Sequence, residues 1–120
     1  MLEHYALTFS KLYLRCGYTD LQYSVDSLAA LINKEYQLDP FDCNSIFLFC
    51  GRRADRIKLL TWNGDGWLLM YKRLEHSKYQ WPRSTTEVAE LTHQQLRWLL
   101  EGLSITPNRM IRKVSPKRVT

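Results

Sequence analysis

Basic and aromatic side chains alternate between residues 51 and 83 of this chain. Eight of these residues are basic and three are acidic, which gives the segment a net charge of +5. The first fifty residues carry −3 and residues 84–120 carry +3, so the segment alone matches the +5 of the whole chain. Charge concentrated on part of a domain attracts polyanions and acidic partners. The pattern therefore predicts a surface that binds nucleic acid.

The predicted phosphate-binding residues are Arg52, Arg53, Arg56, Lys58, Lys72, Arg73, Lys78 and Arg83. The planar fork of arginine matches the geometry of phosphate, and lysine supplies a compact charge. A second interpretation stays open, in which the same residues form the solvated edge of a sheet. In that case an arginine pairs with Asp55, and the other charges discourage aggregation.

Five aromatic residues accompany these cations, namely Trp62, Trp67, Tyr71, Tyr79 and Trp81. Aromatic rings beside cations can stack on the exposed bases of a single strand or a distorted duplex end. They can equally anchor a protein interface or form a second small core. All three interpretations remain open for these five residues.

Catalysis is an alternative function that specifies a chemical reaction, because carboxylates can hold Mg²⁺ for phosphodiester chemistry. The candidates are Asp20, Asp26, Asp55, Asp65 and Glu75. However, Asp20 fits a helix cap, Asp65 fits a turn and Asp55 fits an arginine partner. The chain also has no GxSxG, HExxH or phosphate-loop motif. The sequence therefore predicts a protein that is not an enzyme and needs no cofactor.

Metal and disulfide sites are not expected from the spacing of cysteine and histidine. Cys16, Cys43 and Cys50 lack CxxC spacing, which favours buried thiols in a reducing compartment. The three histidines, His4, His76 and His93, are scattered along the chain. There is no signal-peptide pattern and no apolar run of about 18 residues. These features predict a cytoplasmic protein with no membrane partner.

The elements that position the basic segment follow from hydrophobic periodicity. Residues 11–16 and 45–50 predict strands, and residues 20–37 predict a helix capped by Thr19 or Asp20. Residues 56–62 and 67–73 predict a hairpin, since Asn-Gly and Asp-Gly in residues 63–66 suit tight turns. Residues 74–91 look irregular, with room for a turn of helix at residues 87–91. A second clear helix begins at Thr92.

The chain is therefore predicted to be an α+β domain in the order β-α-β-β-β-α, with helices packed on one face of an antiparallel sheet. The domain spans residues 1–108, and a basic tail follows at residues 109–120. An edge strand is the alternative for the start of this tail, because MIRKV alternates. A chain of 120 residues is long enough for one domain with its own core.

The register of the hairpin decides which side chains share a face. A four-residue loop pairs Trp62 with Trp67 and places Lys58 and Tyr71 on the same face as these tryptophans, whereas a two-residue loop at Asn63-Gly64 would shift the pairing. The other face, which contains Leu59, is expected to pack beneath the first helix. The cations and some of the aromatic rings would then share the uncovered face.

One known family resembles this chain over most of its length. It is the small accessory protein of the insertion-sequence-66 family of bacterial transposable elements, called Orf2-like or TnpB. Its core is similar to residues 47–83, FLFCGRRADRIKLLTWNGDGWLLMYKRLEHSKYQWPR. The motifs GRR-x-DRIK-x-L, G-D-G and YKRLE…WP match at residues 51–60, 64–66 and 71–82, and ELTHQQLRWLLEGL resembles the family's C-terminal helix. The RNA-guided nucleases that share the name TnpB are unrelated and longer.

The chain departs from the family pattern near the predicted first helix. Gln22 stands where the family has arginine, and Ser24 and Ser27 stand where it has glycine. The resemblance implies a protein that is encoded beside a separate transposase and is needed for efficient transposition. Its expected partners are DNA, the transposase or both, while the transposase performs the chemistry. An adaptor that contacts only protein is the alternative.

Overall fold

The computed structural model describes residues 2–83 and 85–114. Within these residues the elements are α1 (Leu2–Ala6), β1 (Lys11–Arg15), α2 (Val25–Tyr36), β2 (Ser45–Cys50), β3 (Arg56–Trp62), β4 (Trp67–Arg73), β5 (Val88–Leu91), α3 (His93–Leu100) and β6 (Arg109–Ile111). The strands form one sheet in the order β4-β3-β2-β1-β5-β6. The predicted α+β class and the central hairpin are confirmed.

The sheet is mostly antiparallel, with one parallel pair. β1 pairs with β2 in parallel, and the other neighbouring strands are antiparallel. In the hairpin, Trp62 pairs with Trp67 and Lys58 pairs with Tyr71, as the predicted register requires. Because β1 and β2 are parallel, their carboxyl ends lie at the same edge of the sheet. The segments that leave these two strands therefore meet there.

Apolar layers cover both faces of the sheet, and different helices contribute to each layer. On one face, Leu28 and Ile32 of α2 pack with Phe47 of β2 and Leu60 of β3. On the other face, α1 and α3 pack over a layer that contains Leu59. The expectation that helices cover one face, with Leu59 beneath the first long helix, is therefore wrong. Alternate residues of β3 do point to opposite faces, but α2 lies over the Leu60 side. Lys58 shares this face, so the expectation that the cations lie on an uncovered face is also wrong.

Three short elements differ from the prediction. Residues 88–91, expected to be irregular or helical, form β5 between β1 and β6. Val88 and Ala89 are both buried, so this strand lacks the alternation that would reveal it. Residues 109–111 form β6, the edge strand that the sequence left as an alternative; residues 115–120 of the tail lie outside the described residues. α1 spans five residues, too few to show helical periodicity.

The first long helix begins later than predicted, at Val25 instead of residue 20. The Ser24 hydroxyl accepts a hydrogen bond from the Ser27 amide at 3.1 Å, which makes Ser24 the N-cap. Asp20, one of the predicted caps, instead accepts a hydrogen bond from the Gln22 amide at 2.9 Å. Residues 16–24 are therefore a connection without helix, and this connection forms one wall of the candidate site.

The second long helix, α3, follows Thr92 as predicted. The Thr92 hydroxyl accepts from the Gln95 amide at 3.1 Å, and the Gln95 side-chain oxygen accepts from the Thr92 amide at 2.9 Å, which is a capping box. Gly102 follows the helix with a φ of +89°, as is common after helix ends. Across residues 2–83 and 85–114, no helix is long and apolar enough to cross a membrane.

Candidate nucleic-acid interface

The connection after β1 and the turn after β2 are in direct contact. The Thr19 amide donates to the Cys50 carbonyl at 2.7 Å and so ties the connection to the end of β2. Beside this bond, Arg52 Nη2 donates to the Tyr18 hydroxyl at 3.1 Å, and Arg52 Cζ lies 4.8 Å from the centre of the Tyr18 ring. The parallel pairing of β1 and β2 thus joins residues that are far apart in sequence.

The hairpin brings further cations to the same edge of the sheet. β3 begins at this edge and β4 ends there, so Arg56 pairs across the ladder with Arg73. Two positions further along, Lys58 pairs with Tyr71 on the same face. The cations of β3 therefore continue the surface that Arg52 begins.

Two adjoining cavities of about 350 and 430 Å³ form a groove along this edge. Both are lined by Leu21, Gln22 and Arg56. We use the term basic groove for these three residues together with Tyr18, Asp20, Arg52, Arg53, Lys58 and Tyr71. The connection after β1 forms one wall of the groove, and the hairpin forms the other.

Cations outnumber carboxylates in the basic groove, so its potential is positive. Arg56 Nε donates to Asp55 Oδ1 at 2.9 Å, and this hydrogen bond lowers the pKa of the Asp55 carboxyl. The Lys58 ammonium donates to the Leu21 carbonyl and lies 6.0 Å from the centre of the Tyr71 ring. Arg56 is thus the arginine that pairs with Asp55, and Lys58 links the two walls of the groove.

Lys72, one of the predicted phosphate-binding residues, lies on the opposite face of the hairpin. It pairs across the ladder with Ile57, which belongs to the layer under α1 and α3. Its ammonium forms an ion pair with Glu3 of α1, and the hydrogen bond from Lys72 lowers the pKa of Glu3 to about 2. Lys72 therefore fastens α1 to the sheet.

Three other predicted cations do not line the basic groove. Arg73 pairs with Glu75 at 3.1 Å where β4 ends. Arg83 donates to the Gly51 carbonyl at 2.8 Å and so braces the turn after β2. Lys78 is exposed. Four of the eight predicted cations, those of the groove, are thus gathered on one surface.

Two of the five predicted stacking residues belong to the core. Tyr79 is 3% exposed and Trp81 is 6% exposed, both in the layer under α1 and α3. Trp81 Nε1 donates to the Arg15 carbonyl at 2.9 Å, and burial raises the pKa of Tyr79 to about 12. Neither ring has a face available to a base, so the core interpretation applies to both.

Two more aromatic residues form a cluster at the loop end of the hairpin. The rings of Trp62 and Trp67 lie 5.0 Å apart, edge to face. Phe41, which is 56% exposed, lies 5.1 Å from Trp62 and 5.0 Å from Trp67. We call Phe41, Trp62 and Trp67 the aromatic cluster. Of the five predicted residues, Tyr71 is the one that lines the basic groove.

The candidate catalytic carboxylates are dispersed. Asp20 caps a turn, Asp26 lies in the first turn of α2, and Asp55 pairs with an arginine. In the part of the chain that the structure describes, no three Asp, Glu, His or Cys side chains gather to hold a metal ion. Burial raises the pKa of the Cys16 and Cys50 thiols to about 11, which makes them poor nucleophiles.

The family described as IS66 Orf2 like protein matches residues 10–110. The chain belongs to this family. Two relatives from Sinorhizobium fredii (strain NBRC 101917 / NGR234), the uncharacterized proteins y4hO and y4jC, are each 30% identical to it. These matches cover 78% and 72% of this chain, and 80% and 74% of the respective relatives. No solved structure matches the chain. Membership in the IS66 Orf2-like family makes this an accessory protein associated with insertion sequences.

The glycine of the family's GRR motif has a packing reason. A Cβ atom at Gly51 would lie 3.1 Å from Leu21 Cδ1 and 3.3 Å from Arg56 Cγ. Both distances are tighter than ordinary van der Waals contact, so a side chain here would require Leu21 and Arg56 to shift by a few tenths of an ångström. Gly51 thus lets the connection after β1 close onto the start of β3.

Sequence reasoning missed the wall that Tyr18 and Gln22 provide. Both precede the hairpin by about thirty residues in the chain, and no local pattern links them to it. The departure from the IS66 Orf2-like pattern at Gln22 is the one signal that was present. The structure places this residue in both cavities of the basic groove.

Proposed function

We propose that this IS66 Orf2-like protein is a non-enzymatic accessory protein of transposition that binds DNA through the basic groove. The observation that supports the proposal is the gathering of Arg52, Arg53, Arg56 and Lys58 on one open surface. Phosphate contacts of this kind give affinity that does not depend on base sequence. The separate transposase would supply the strand chemistry.

The salt dependence of DNA binding by the full chain tests this proposal. Each phosphate contact releases counterions, so four contacts give a slope of roughly −3.6 in a plot of log affinity against log salt concentration. We expect similar slopes for duplexes from the element end and of random sequence. A slope near zero, or no binding at low salt, would refute the proposal.

Two lysines of the hairpin offer a matched pair of variants. Lys58 lines the basic groove, whereas Lys72 lies on the opposite face beside Glu3. Lys58→Ala should weaken binding to all sequences and reduce the slope by about 0.9. Lys72→Ala removes the same charge and should leave the DNA affinity and the slope of its salt dependence unchanged. Equal losses in the two variants would mean that net charge, and not the groove, attracts DNA.

The non-enzymatic part of the proposal has its own test. Supercoiled plasmid is incubated with the purified protein and Mg²⁺ or Mn²⁺, and we expect it to stay supercoiled because the carboxylates are dispersed. Nicking that persists through purification and disappears in Asp55→Ala would show that the protein is an enzyme.

A second candidate function is supported by the aromatic cluster, which lies at the end of the hairpin away from the basic groove. Phe41 is exposed there, and Trp62 and Trp67 are half-buried. Exposed aromatic rings are frequent anchors of protein interfaces. In this alternative the protein is an adaptor that contacts the transposase without touching DNA. Phe41→Ala would then abolish co-purification with the element's transposase, while Lys58→Ala would leave it unchanged.

A further inference from the structure

Two exposed tyrosines flank the basic groove, and each lies against one of its cations. Tyr18 is 52% exposed and contacts Arg52, whose Cζ is 4.8 Å from the ring centre. Tyr71 is 51% exposed and lies 6.0 Å from the Lys58 ammonium. About half of each tyrosine therefore remains in contact with solvent, beside a positive charge that the ring helps to position.

The two tyrosines come from opposite walls of the groove. Tyr18 lies in the connection after β1, and Tyr71 lies on β4. Leu21, Gln22 and Arg56 lie between them, because these three residues line both cavities. The two rings thus flank the cations of the groove, with Arg52, Arg56 and Lys58 between Tyr18 and Tyr71.

Rings on both sides of the cations distinguish two forms of DNA. A duplex presents phosphates but keeps the faces of its bases stacked inside, so it can use the cations and not the rings. A single strand presents both phosphates and base faces, and every base has a face that can stack on an aromatic ring. Charge accounts for the arginines and the lysine, and the two exposed rings add a contact that a single strand can use and a duplex cannot.

We propose that the basic groove takes single-stranded DNA, with bases stacked on Tyr18 and Tyr71 and phosphates bound by the cations between them. The inference rests on the proposed function, since it specifies which form of DNA that site binds. Arg53 and Arg56 also line the groove and would bind phosphate there, Arg56 from beside its partner Asp55. The Gln22 amide, between the two rings, has both a donor and an acceptor for the edge of a base.

Fluorescence anisotropy with the full chain tests the inference. The probe is a labelled oligonucleotide of about 20 nucleotides, used as a single strand and after annealing to its complement at the same salt concentration. We expect the single strand to bind at least about tenfold more tightly than the duplex, since only the single strand offers base faces to the rings. Tyr18→Leu and Tyr71→Leu should each weaken single-strand binding roughly 5- to 100-fold, while duplex binding changes less than about twofold.

Two control variants separate stacking from other losses. Tyr71→Phe keeps the ring and should retain single-strand binding, because stacking does not use the hydroxyl. Tyr23 is also exposed but lines a neighbouring cavity, so Tyr23→Leu should have no effect. Circular dichroism confirms that each variant is folded. If Tyr18→Leu does not fold, the comparison of Tyr71→Leu with Tyr71→Phe decides the result.

The outcomes distinguish this inference from the proposed function. Duplex binding equal to or tighter than single-strand binding would overturn the inference and leave the proposed function standing. Equal weakening of single-strand and duplex binding by Tyr18→Leu and Tyr71→Leu would also overturn the inference and leave the proposed function standing. Absence of binding to either form at low salt would refute the proposed function, and the inference with it.

Discussion

Neighbouring residues on β3 are expected to respond in opposite ways to alanine substitution. Leu59 is fully buried in the layer under α1 and α3, and its cross-strand neighbours are Leu48 and Met70. Truncating a buried leucine costs about 2–5 kcal/mol, and a site enclosed between two strands has little freedom to relax. For Leu59→Ala we expect a loss of about 3 kcal/mol. In a domain of this size, that lowers the melting temperature by about 9–18 °C.

Lys58 is next in sequence and points to the other face. Lys58→Ala removes one hydrogen bond, to the Leu21 carbonyl, and leaves that carbonyl at a partly exposed residue where water can replace the ammonium. The expected loss of stability is therefore about 1 kcal/mol or less. The same variant should weaken DNA binding, because it removes a cation from the basic groove.

Thermal denaturation followed by circular dichroism measures the first effect, and DNA anisotropy on samples kept well below their melting temperatures measures the second. Leu59→Ala should lose stability and keep DNA affinity, and Lys58→Ala should show the reverse. The assignment of faces on β3 would be refuted if Lys58→Ala destabilised the domain as much as Leu59→Ala. It would also be refuted if the folded Leu59→Ala protein lost DNA affinity while Lys58→Ala kept it.

Three further predictions follow from contacts elsewhere in the fold. The buried Tyr79 hydroxyl has no hydrogen-bond partner among the described residues, so Tyr79→Phe should leave the urea midpoint unchanged or raise stability by up to about 1 kcal/mol. The pKa of Glu3 is lowered from 4.5 to about 2 in the folded protein. The ionised Glu3 carboxylate therefore contributes its full stabilisation of the fold above pH 4.5. This stabilisation is about 0.5–1 kcal/mol for a pair that is one-third exposed, and it is lost as the pH falls toward 2. Glu3→Gln should remove this part of the pH dependence in urea titrations. Gly51→Ala should weaken DNA binding by displacing Leu21 or Arg56, whereas Gly66→Ala, where a Cβ meets open space, should not.

The hairpin could be predicted to the residue because its determinants are local. The Asn-Gly and Asp-Gly pairs of residues 63–66 fix the loop, and the two-residue period of the strands then fixes the pairing of Trp62 with Trp67. The side of the sheet that each helix covers could not be predicted from local sequence. It depends on the parallel pairing of β1 with β2 and on α1, and neither leaves a periodic signal in the sequence.

The candidate site shows the same division between local and distant information. Charge and motif indicated Arg52, Arg53, Arg56 and Lys58, because they lie within a few residues of one another. The aromatic residues could not be sorted in this way. Tyr71 lies between Met70 and Lys72, and Trp81 lies between Gln80 and Pro82, so each has one polar and one nonpolar neighbour in the sequence, yet Trp81 is in the core and Tyr71 is exposed. Burial of a ring is decided by elements that approach from elsewhere in the chain.

The wall of the groove that contains Tyr18 is fixed by hydrogen bonds within the protein itself. Arg15, at the end of β1, donates to the Tyr18 carbonyl at 3.1 Å, to the Thr19 hydroxyl at 3.0 Å and to the Tyr36 hydroxyl at 3.1 Å. This largely buried guanidinium thus links the connection after β1 to α2, and the Thr19 amide links the same connection to β2. A wall fixed at both sides loses little further conformational entropy when a strand of DNA binds, which leaves more of the contact energy for affinity. Arg15 contacts Tyr18 at its backbone carbonyl, so it positions this residue without covering the ring, whose own contact is with Arg52.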